Sequence, residues 1–322
     1  MKDNESRCSA ALAQIADIAA TARRDSSTRD YPSSDSGSHG AWASRDLACA
    51  IRVLPKRLWS KAAETAIKIN PVNAPLAAPF GVTSELSVAR LVVVTGKYWG
   101  SVSRRLTVSF MEATPSDLRA RIIQHMNGWE RTVGISFVPT SNTGQVRISR
   151  GAGGYWSYLG TDILHVPSDE PTMNLEAFTM GMPESEYKRV VTHETGHTLG
   201  FPHEHMRRAL VSQIDPAKAY PYFLTTQGWD KQTVDEQVLT PLEERTIFGT
   251  PPDQDSIMCY QLPGTITYDD QPIRGGKDIN ARDYVFAGEI YPKPPSPVPS
   301  SSLAAQEFIG DWDESKDVLE PI

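Results

Sequence analysis

One run of eleven residues, HETGHTLGFPH from His193 to His203, constrains this chain more than any other feature. Residues four apart lie on the same face of an α-helix, so His193 and His197 can direct two imidazoles at one ion. Glu194 flanks that face and can contact a water at the ion without being a ligand. Gly200 permits the left-handed backbone that ends a helix, so the chain can turn and return His203 as a third ligand. The run therefore predicts a zinc site with three histidine ligands and an open fourth position.

The ordinary alternative to a metal site is a helix that carries scattered surface histidines. At average residue frequencies, five such fixed positions occur by chance in a chain of this length on the order of once in 100,000. The sequence therefore favours the metal site.

A second segment, Asp255–Tyr260 (DSIMCY), supports the same interpretation. Together the two segments resemble the metzincin metallopeptidases, in which a long histidine motif is followed by a methionine-containing turn beneath the zinc. Within that clan, Gly200–Glu204 is similar to the Gly-Phe-x-His-Glu ending of the astacin-like group. The turn is similar to Ser-x-Met-His-Tyr, except that Cys259 replaces the usual histidine, and Tyr155–Gly160 resembles Cys-Trp-Ser-Tyr-Val-Gly. The resemblance covers roughly residues 96 to 292.

The resemblance implies an α+β fold: a metzincin-like domain with a mixed twisted sheet, an active-site helix and a methionine turn. It implies one catalytic Zn²⁺ held by His193, His197 and His203. Three neutral imidazoles leave the ion its full charge, so it can acidify water and polarise a peptide carbonyl. Glu194 is expected to be the general base, which accepts a proton from the attacking water and passes it to the leaving amine.

Neighbours of the motif also take expected roles. In astacins, the tyrosine two residues after the turn methionine can ligate zinc at rest and swing toward the reacting carbonyl. Tyr260 occupies that position, whereas its residue type alone would indicate a core tyrosine. Met258 is expected to support the site without ligating, and Glu204 to be a buried structural carboxylate. We expect His205 to be a surface histidine and Cys259 an inert buried thiol.

Two classes of function remain open at this point. One is a zinc endopeptidase that acts on an extended polypeptide or protein substrate. The other is a catalytically idle, zinc-stabilised module that captures peptides in the same cleft. Glu194 favours the enzyme, because a binding module needs no carboxylate beside the water. Hydrolysis of another amide, such as a cell-wall peptide, is a further alternative within the enzymes.

Composition excludes several other classes. The chain has 322 residues and a net charge of −7, and no basic stripe appears, so nucleic acid is not an expected partner. No apolar run reaches the roughly 18 residues of a membrane span, so no membrane partner is expected. Three cysteines, an odd and sparse set, argue against a disulfide framework. The N-terminal residues lack a signal-peptide pattern, so we expect a cytoplasmic protein or export without a cleavable signal.

Composition shifts predict four regions along the chain. Residues 1–45 are expected to be disordered, 46–95 to be an ordered N-terminal extension, 96–292 to be the catalytic domain, and 293–322 to be a Pro/Ser-rich and acidic disordered tail. The extension could pack on the catalytic domain or cover its cleft. In the tail, Phe308–Asp311 matches the Phe-x-Gly-Asp pattern by which astacin propeptides place an aspartate on zinc. Coincidence in an acidic tail explains this match, and the alternative is a latency role for Asp311.

Hydrophobic periodicity predicts the individual elements. Helices are expected at 55–70, 115–129, 184–199, 233–244 and 278–290, and strands at 91–94, 105–110, 135–138 and 145–149. Between His203 and the methionine turn, the remainder is expected to form long loops.

Overall fold

The structure, a computed structural model, describes residues 49–74, 96–242 and 251–294. These residues form both strands and helices. The strands are β1 (Cys49–Arg52), β2 (Arg104–Phe110), β3 (Ile135–Pro139), β4 (Val146–Ser149), β5 (Tyr155–Tyr158) and β6 (Met173–Leu175). The helices include α1 (Trp59–Ile69), α2 (Ser116–Met126), α4 (Arg208–Val211), α5 (Pro216–Gln227) and α7 (Ala281–Ile290). Helix α3 comprises an α-helical turn (Glu184–Glu186), a π-helical turn (Tyr187–Val191) and an α-helix (Thr192–Leu199). Helix α6 is Lys231–Val234 followed by a π-helical turn, Asp235–Leu239.

The strands form one mixed sheet in the order β1-β5-β6-β4-β2-β3. Strands β6, β4, β2 and β3 pair in parallel, β5 pairs antiparallel with β6, and β1 pairs in parallel with β5. In β2, alternate residues such as Leu106 and Val108 face the core, as the period of two requires. The predicted α+β class with a mixed sheet is confirmed.

Two hydrophobic clusters form the core on either side of the methionine turn. The larger one joins the sheet to α2 and α3, with large buried members that include Trp99, Trp129, Phe137 and Tyr187. The smaller one lies between residues 210 and 273, with members that include Leu210, Phe223, Val234 and Leu262. Met258 belongs to the larger cluster and the next residue, Cys259, to the smaller one. The turn therefore ties the two halves together.

Most predicted elements in the described ranges are present, with two corrections after His203. The stretch expected to be a loop contains α5, which Asp215 caps through its side chain and Gly228 ends with a φ of 70°. Pro221 lies inside this helix, where proline is disfavoured, so the residue type at that position points away from a helix. The helix expected at 233–244 is shorter and ends at Leu239. The predicted strand at 91–94 lies outside the described residues, as do residues 1–48 and residues 295–322.

The N-terminal segment 49–74 is packed onto the rest of the described chain. Its helix α1 buries Ala62, Ala66 and Ile67, and it lies against the 3-10 turn Gly160–His165. Asn73 fixes the end of the segment, because its side chain donates to the Tyr98 carbonyl at 2.8 Å and accepts from the Tyr98 amide at 2.9 Å. No helix in the described ranges is long and apolar enough to cross a membrane.

Candidate metal centre and active site

The end of α3 brings the three histidines of the motif together. Gly200 has a φ of 100°, in the left-handed region that favours glycine. The amide of Phe201 donates to the Gly196 carbonyl at 2.9 Å, which satisfies a carbonyl of the last turn. The chain then reverses, and the His203 ring lies 4.6 Å from the His197 ring, centroid to centroid. The return of the third histidine is therefore present as the sequence predicted.

Buried aromatic side chains fix the backbone of α3. Trp129 donates from its indole nitrogen to the Thr192 carbonyl at 2.9 Å, and Trp99 donates to the Thr198 carbonyl at 2.8 Å. The hydroxyl of Tyr291 donates to the carbonyl of Leu199. The last carbonyls of a helix have no partner within it, so the donors from Trp99 and Tyr291 satisfy the carbonyls of Thr198 and Leu199 at the buried end of α3. These three bonds fix the position of the helix that carries His193 and His197.

Backbone carbonyls orient two of the imidazoles. Nδ1 of His193 lies 2.6 Å from the Ile257 oxygen, and Nδ1 of His197 lies 2.7 Å from the Phe201 oxygen. A carbonyl only accepts, so Nδ1 carries the proton and Nε2 of each neutral ring presents a lone pair. Burial lowers the pKa of His193 to about 4. Burial, and then the neighbouring imidazole of His193, lower the pKa of His197. Both rings are thus in the neutral form that binds metal.

The ligand atoms converge on one point. One donor atom from each of His193, His197, His203 and Cys49 lies within 4.8 Å of all the others. Nε2 of His197 and Nε2 of His203 are 3.0 Å apart, near the roughly 3.3 Å of two nitrogens on a tetrahedral zinc ion. Nε2 of His193 is buried without a hydrogen-bond partner among the described residues, a costly state that a cation would relieve. The residues therefore fit a zinc ion.

Glu194 lies beside this cluster in a buried position. It is 1% exposed, and its Oε2 has no hydrogen-bond partner among the described residues. Burial raises the pKa of Glu194 to about 8. Burial, and then the nearby Glu194 carboxylate, raise the pKa of the Cys49 thiol. The geometry thus leaves one carboxylate oxygen available for a proton at the site.

The methionine turn lies directly below α3. A Cβ atom added at Gly196 would lie 2.2 Å from Sδ of Met258, so the turn packs against the helix with no space for a side chain. The amide of Glu204 donates to the Met258 carbonyl at 2.8 Å, which joins the turn to the third-histidine segment. Asp283 at the start of α7 accepts from Ser256 Oγ at 2.6 Å and from the Ile257 amide at 2.9 Å. The turn is therefore held from both sides.

Tyr260 follows the turn and faces an open cavity next to the histidines. Its ring centroid lies 6.4 Å from that of His203. A cavity of about 440 Å³, here called the active-site cavity, is lined by residues that include Cys49, Tyr155, Arg189, His193, Glu194, Tyr260 and Leu262. The predicted metal ligands and the predicted catalytic pair, Glu194 and Tyr260, thus surround one site. Asp311 lies outside the described residues.

Two neighbours differ from expectation. His205, expected at the surface, is 1% exposed, and its Nε2 lies 3.1 Å from the Gln237 carbonyl oxygen. The 3-10 turn after His203 packs it under α6, a long-range contact without a local sequence signal.

Sequence reasoning also missed Cys49, whose Sγ lies 3.4 Å from Nε2 of both His197 and His203. No spacing rule links a cysteine in the N-terminal region to histidines far along the chain. Cys259 is buried, as expected.

Comparisons with known proteins agree with this geometry. Residues 94–270, more than half of the chain, match the family model for astacin, a family of peptidases. Zinc metalloproteinase nas-27 of Caenorhabditis elegans is 30% identical over 182 residues, 56% of this chain; the match spans only 37% of that protein. The solved structure of myroilysin, 29% identical, superposes with a TM-score of 0.57 over 62% of this chain and 97% of its own. The resemblance drawn from the motifs is confirmed: the chain belongs to the astacin family of zinc-dependent metalloendopeptidases.

Proposed function

We propose that this chain hydrolyses internal peptide bonds of extended polypeptides, with His193, His197 and His203 as zinc ligands and Glu194 as general base. One observation carries the proposal: three buried imidazoles converge beside a buried carboxylate that has an unpartnered oxygen among the described residues. Family membership supports a protein or peptide substrate. The roles of the individual residues are inferred from the geometry.

Each residue has a separable task in the reaction. When bound, zinc supplies Lewis acidity, which activates water and polarises the scissile carbonyl. Glu194 accepts the proton of the attacking water and delivers it to the leaving amine. The carbonyls of Ile257 and Phe201 keep the His193 and His197 lone pairs directed at the site throughout.

Tyr260 is the proposed donor to the oxyanion. Its ring lies on the wall of the active-site cavity beside His203. A phenol at this position can donate a hydrogen bond to the oxygen that gains negative charge as the carbonyl carbon becomes tetrahedral. Its contribution is therefore expected in the transition state more than in substrate binding.

The substrate is proposed to bind along β5. This strand borders the active-site cavity through Tyr155, and extended peptides commonly bind by adding a strand to a sheet edge, here the edge of β5 that β1 occupies in this structure. The side chain next to the cleaved bond would enter the active-site cavity, whose wall includes Leu262 and the ion pair of Arg189 with Glu186.

The substitution Glu194→Gln tests the mechanism. The variant should retain zinc, measured by elemental analysis, because the amide leaves the three imidazoles in place. Its hydrolysis of a denatured protein should fall by about 10²- to 10⁴-fold, the usual contribution of a general base. The exposed residue Glu289 gives a matched control, since Glu289→Gln makes the same charge change on α7.

Two outcomes decide between the function classes. Equal cleavage by wild type and the Glu194→Gln variant would contradict the general-base role. A wild-type protein that binds zinc and peptides but cleaves none would instead indicate the idle binding module. Digestion of a proteome-derived peptide library, with and without a chelator, would show metal dependence and side-chain preference together.

A further inference from the structure

Cys49 completes a four-membered set of metal donors. Its Sγ lies 3.4 Å from Nε2 of His197 and 3.4 Å from Nε2 of His203. Sulfur and nitrogen atoms bound to one tetrahedral zinc ion are separated by roughly 3.5 Å. Cys49 is 7% exposed, and its sulfur belongs to the same cluster as the three histidines. Its position is therefore that of a fourth ligand, where hydrolysis requires an open one.

The strand that carries Cys49 occupies the edge proposed for substrate. Strand β1 pairs with β5 over its whole length, from Cys49 opposite Tyr155 to Arg52 opposite Tyr158. The guanidinium of Arg52 lies over the ring of Trp156, 4.6 Å from its centroid. A peptide that adds itself to β5 must therefore displace β1.

The other edge of β1 is held by a side chain. The amide of Ile51 donates to Oε1 of Gln237 at 3.1 Å, and Nε2 of Gln237 donates to the Ile51 carbonyl at 3.3 Å. This carboxamide reproduces the paired bonds that a neighbouring strand would make. Hydrogen bonds on both edges thus hold β1 in the cleft, two residues from the sulfur that faces the histidines.

We propose that Cys49 is the fourth metal ligand of this chain and that β1 fills its peptide-binding edge, so that this folded form is latent. The inference rests on the proposed function, because it assumes zinc on the three histidines. When the bond to sulfur forms, the thiol gives up its proton to solvent through the active-site cavity, and no oxidant or reductant is involved. Release of the sulfur with uptake of a proton reverses the step and frees the fourth position, and departure of β1 from its partners then frees β5.

Cobalt substitution tests the sulfur ligand without relying on activity. The full chain is loaded with Co²⁺ in place of zinc, and its absorption is recorded for the wild type, Cys49→Ala and Cys259→Ala. A thiolate ligand gives a sulfur-to-cobalt charge-transfer band in the near ultraviolet, which we expect in the wild type and Cys259→Ala and not in Cys49→Ala. The visible bands of bound cobalt should remain in all three. A wild-type spectrum without the sulfur band, or a Cys49→Ala spectrum that keeps it, would overturn the proposal.

Cleavage of a denatured protein tests the latency. Cys49→Ala should exceed the wild type by more than about tenfold, and Gln237→Ala, which keeps the sulfur, should show a smaller rise. Gln232→Ala is the matched control, since Gln232 lies on the same helix and its side chain bonds to Glu236 at 2.9 Å, away from β1. Wild-type activity equal to that of Cys49→Ala would refute latency and leave the peptidase function intact. Absent visible cobalt bands in every protein would refute the metal site itself.

The rate at which the Cys49 thiol is alkylated provides a second measurement, which does not depend on the folding of the Cys49→Ala variant. In the metal-loaded wild type, Cys49 should react with iodoacetamide more slowly than after chelation, as followed by peptide mass spectrometry. In the metal-loaded Gln237→Ala variant, alkylation of Cys49 should be faster than in the metal-loaded wild type, because β1 opens more often. An alkylation rate of Cys49 that is independent of metal would also overturn the proposal.

Discussion

The contact between Gly196 and Met258 gives a prediction whose size follows from the structure. A methyl group at position 196 would lie 2.2 Å from Sδ and 3.0 Å from Cε of Met258, and 3.3 Å from the Trp129 ring. Favourable contacts between heavy atoms need about 3.5–4.0 Å, so the thioether or the helix must move by about 1 Å or more. Overpacking of this kind costs about 1–3 kcal/mol. Gly196→Ala should therefore destabilise the protein despite the better helix propensity of alanine.

Gly128→Ala is the control that isolates this contact. A Cβ atom at Gly128 would meet its nearest neighbours, Ile279 and Thr192, at 3.5 and 3.7 Å, which is ordinary contact. Both variants gain about 0.4–1 kcal/mol from a less flexible unfolded chain, so this contribution cancels between them. The free energy of unfolding of the zinc-loaded chain, from guanidinium titration, should be lower for Gly196→Ala than for Gly128→Ala by about 1–3 kcal/mol.

A double-mutant cycle locates the clash. Met258→Ala alone should cost about 2–5 kcal/mol, because it leaves a cavity beneath the helix. In that background Gly196→Ala should be neutral or stabilising, since the new methyl group enters the cavity. The two substitutions should then couple by about 1–3 kcal/mol. Equal stability of Gly196→Ala and Gly128→Ala, or an unchanged penalty in the Met258→Ala background, would refute the reasoning.

Three further predictions concern the same region. Asp283→Asn replaces one carboxylate oxygen with an NH2 donor, which cannot accept from the Ser256 hydroxyl or the Ile257 amide, and it should lower the free energy of unfolding by about 1–3 kcal/mol in a denaturant titration. The control Asp278→Asn, which breaks an exposed ion pair, should cost less than about 1 kcal/mol in the same titration. Chelation should lower the melting temperature, reversibly on addition of zinc, because Nε2 of His193 stays buried without a partner among the described residues; an unchanged melting temperature would count against the site. Tyr260→Phe should reduce kcat by about 10²-fold with little change in KM in steady-state assays, because it removes the proposed donor to the oxyanion. The control Tyr268→Phe, at a side chain that is 63% exposed, should leave both constants unchanged.

The convergence of the three histidines could be predicted from the sequence because local geometry determines most of their arrangement. The spacing of His193 and His197 follows from the helical period, and Gly200 signals the turn that returns His203. Each of these signals lies within one short run. The resemblance to a known family added the role of the methionine turn, whose distance along the chain has no local physical cause.

Contacts between distant segments were not predictable in the same way. Nothing near Cys49 indicates that β1 pairs with β5, because the register of two distant strands depends on the whole sheet. The surface position expected for His205 is wrong for the same reason, since the α6 backbone that covers this residue lies 32 residues away. Helix α5 shows a different limit: its cap and its terminal glycine are local helix signals, but proline at position 221 is a local signal against a helix.

The difference between the two kinds of prediction matters for function. The three histidines and the carboxylate of Glu194 are placed by one short run of sequence, and their proposed roles are those of zinc ligands and general base. Whether its fourth position is open depends on β1, which is held by pairing with β5, by the Gln237 carboxamide and, as we propose, by sulfur on the metal. These three contributions involve separate groups, yet all act on one strand, so their effects on opening should be coupled and not additive. Loss of any one should therefore weaken the others. The rate of cleavage by the Cys49→Ala, Gln237→Ala double variant, divided by that of Cys49→Ala, should be smaller than the rate of Gln237→Ala divided by that of the wild type.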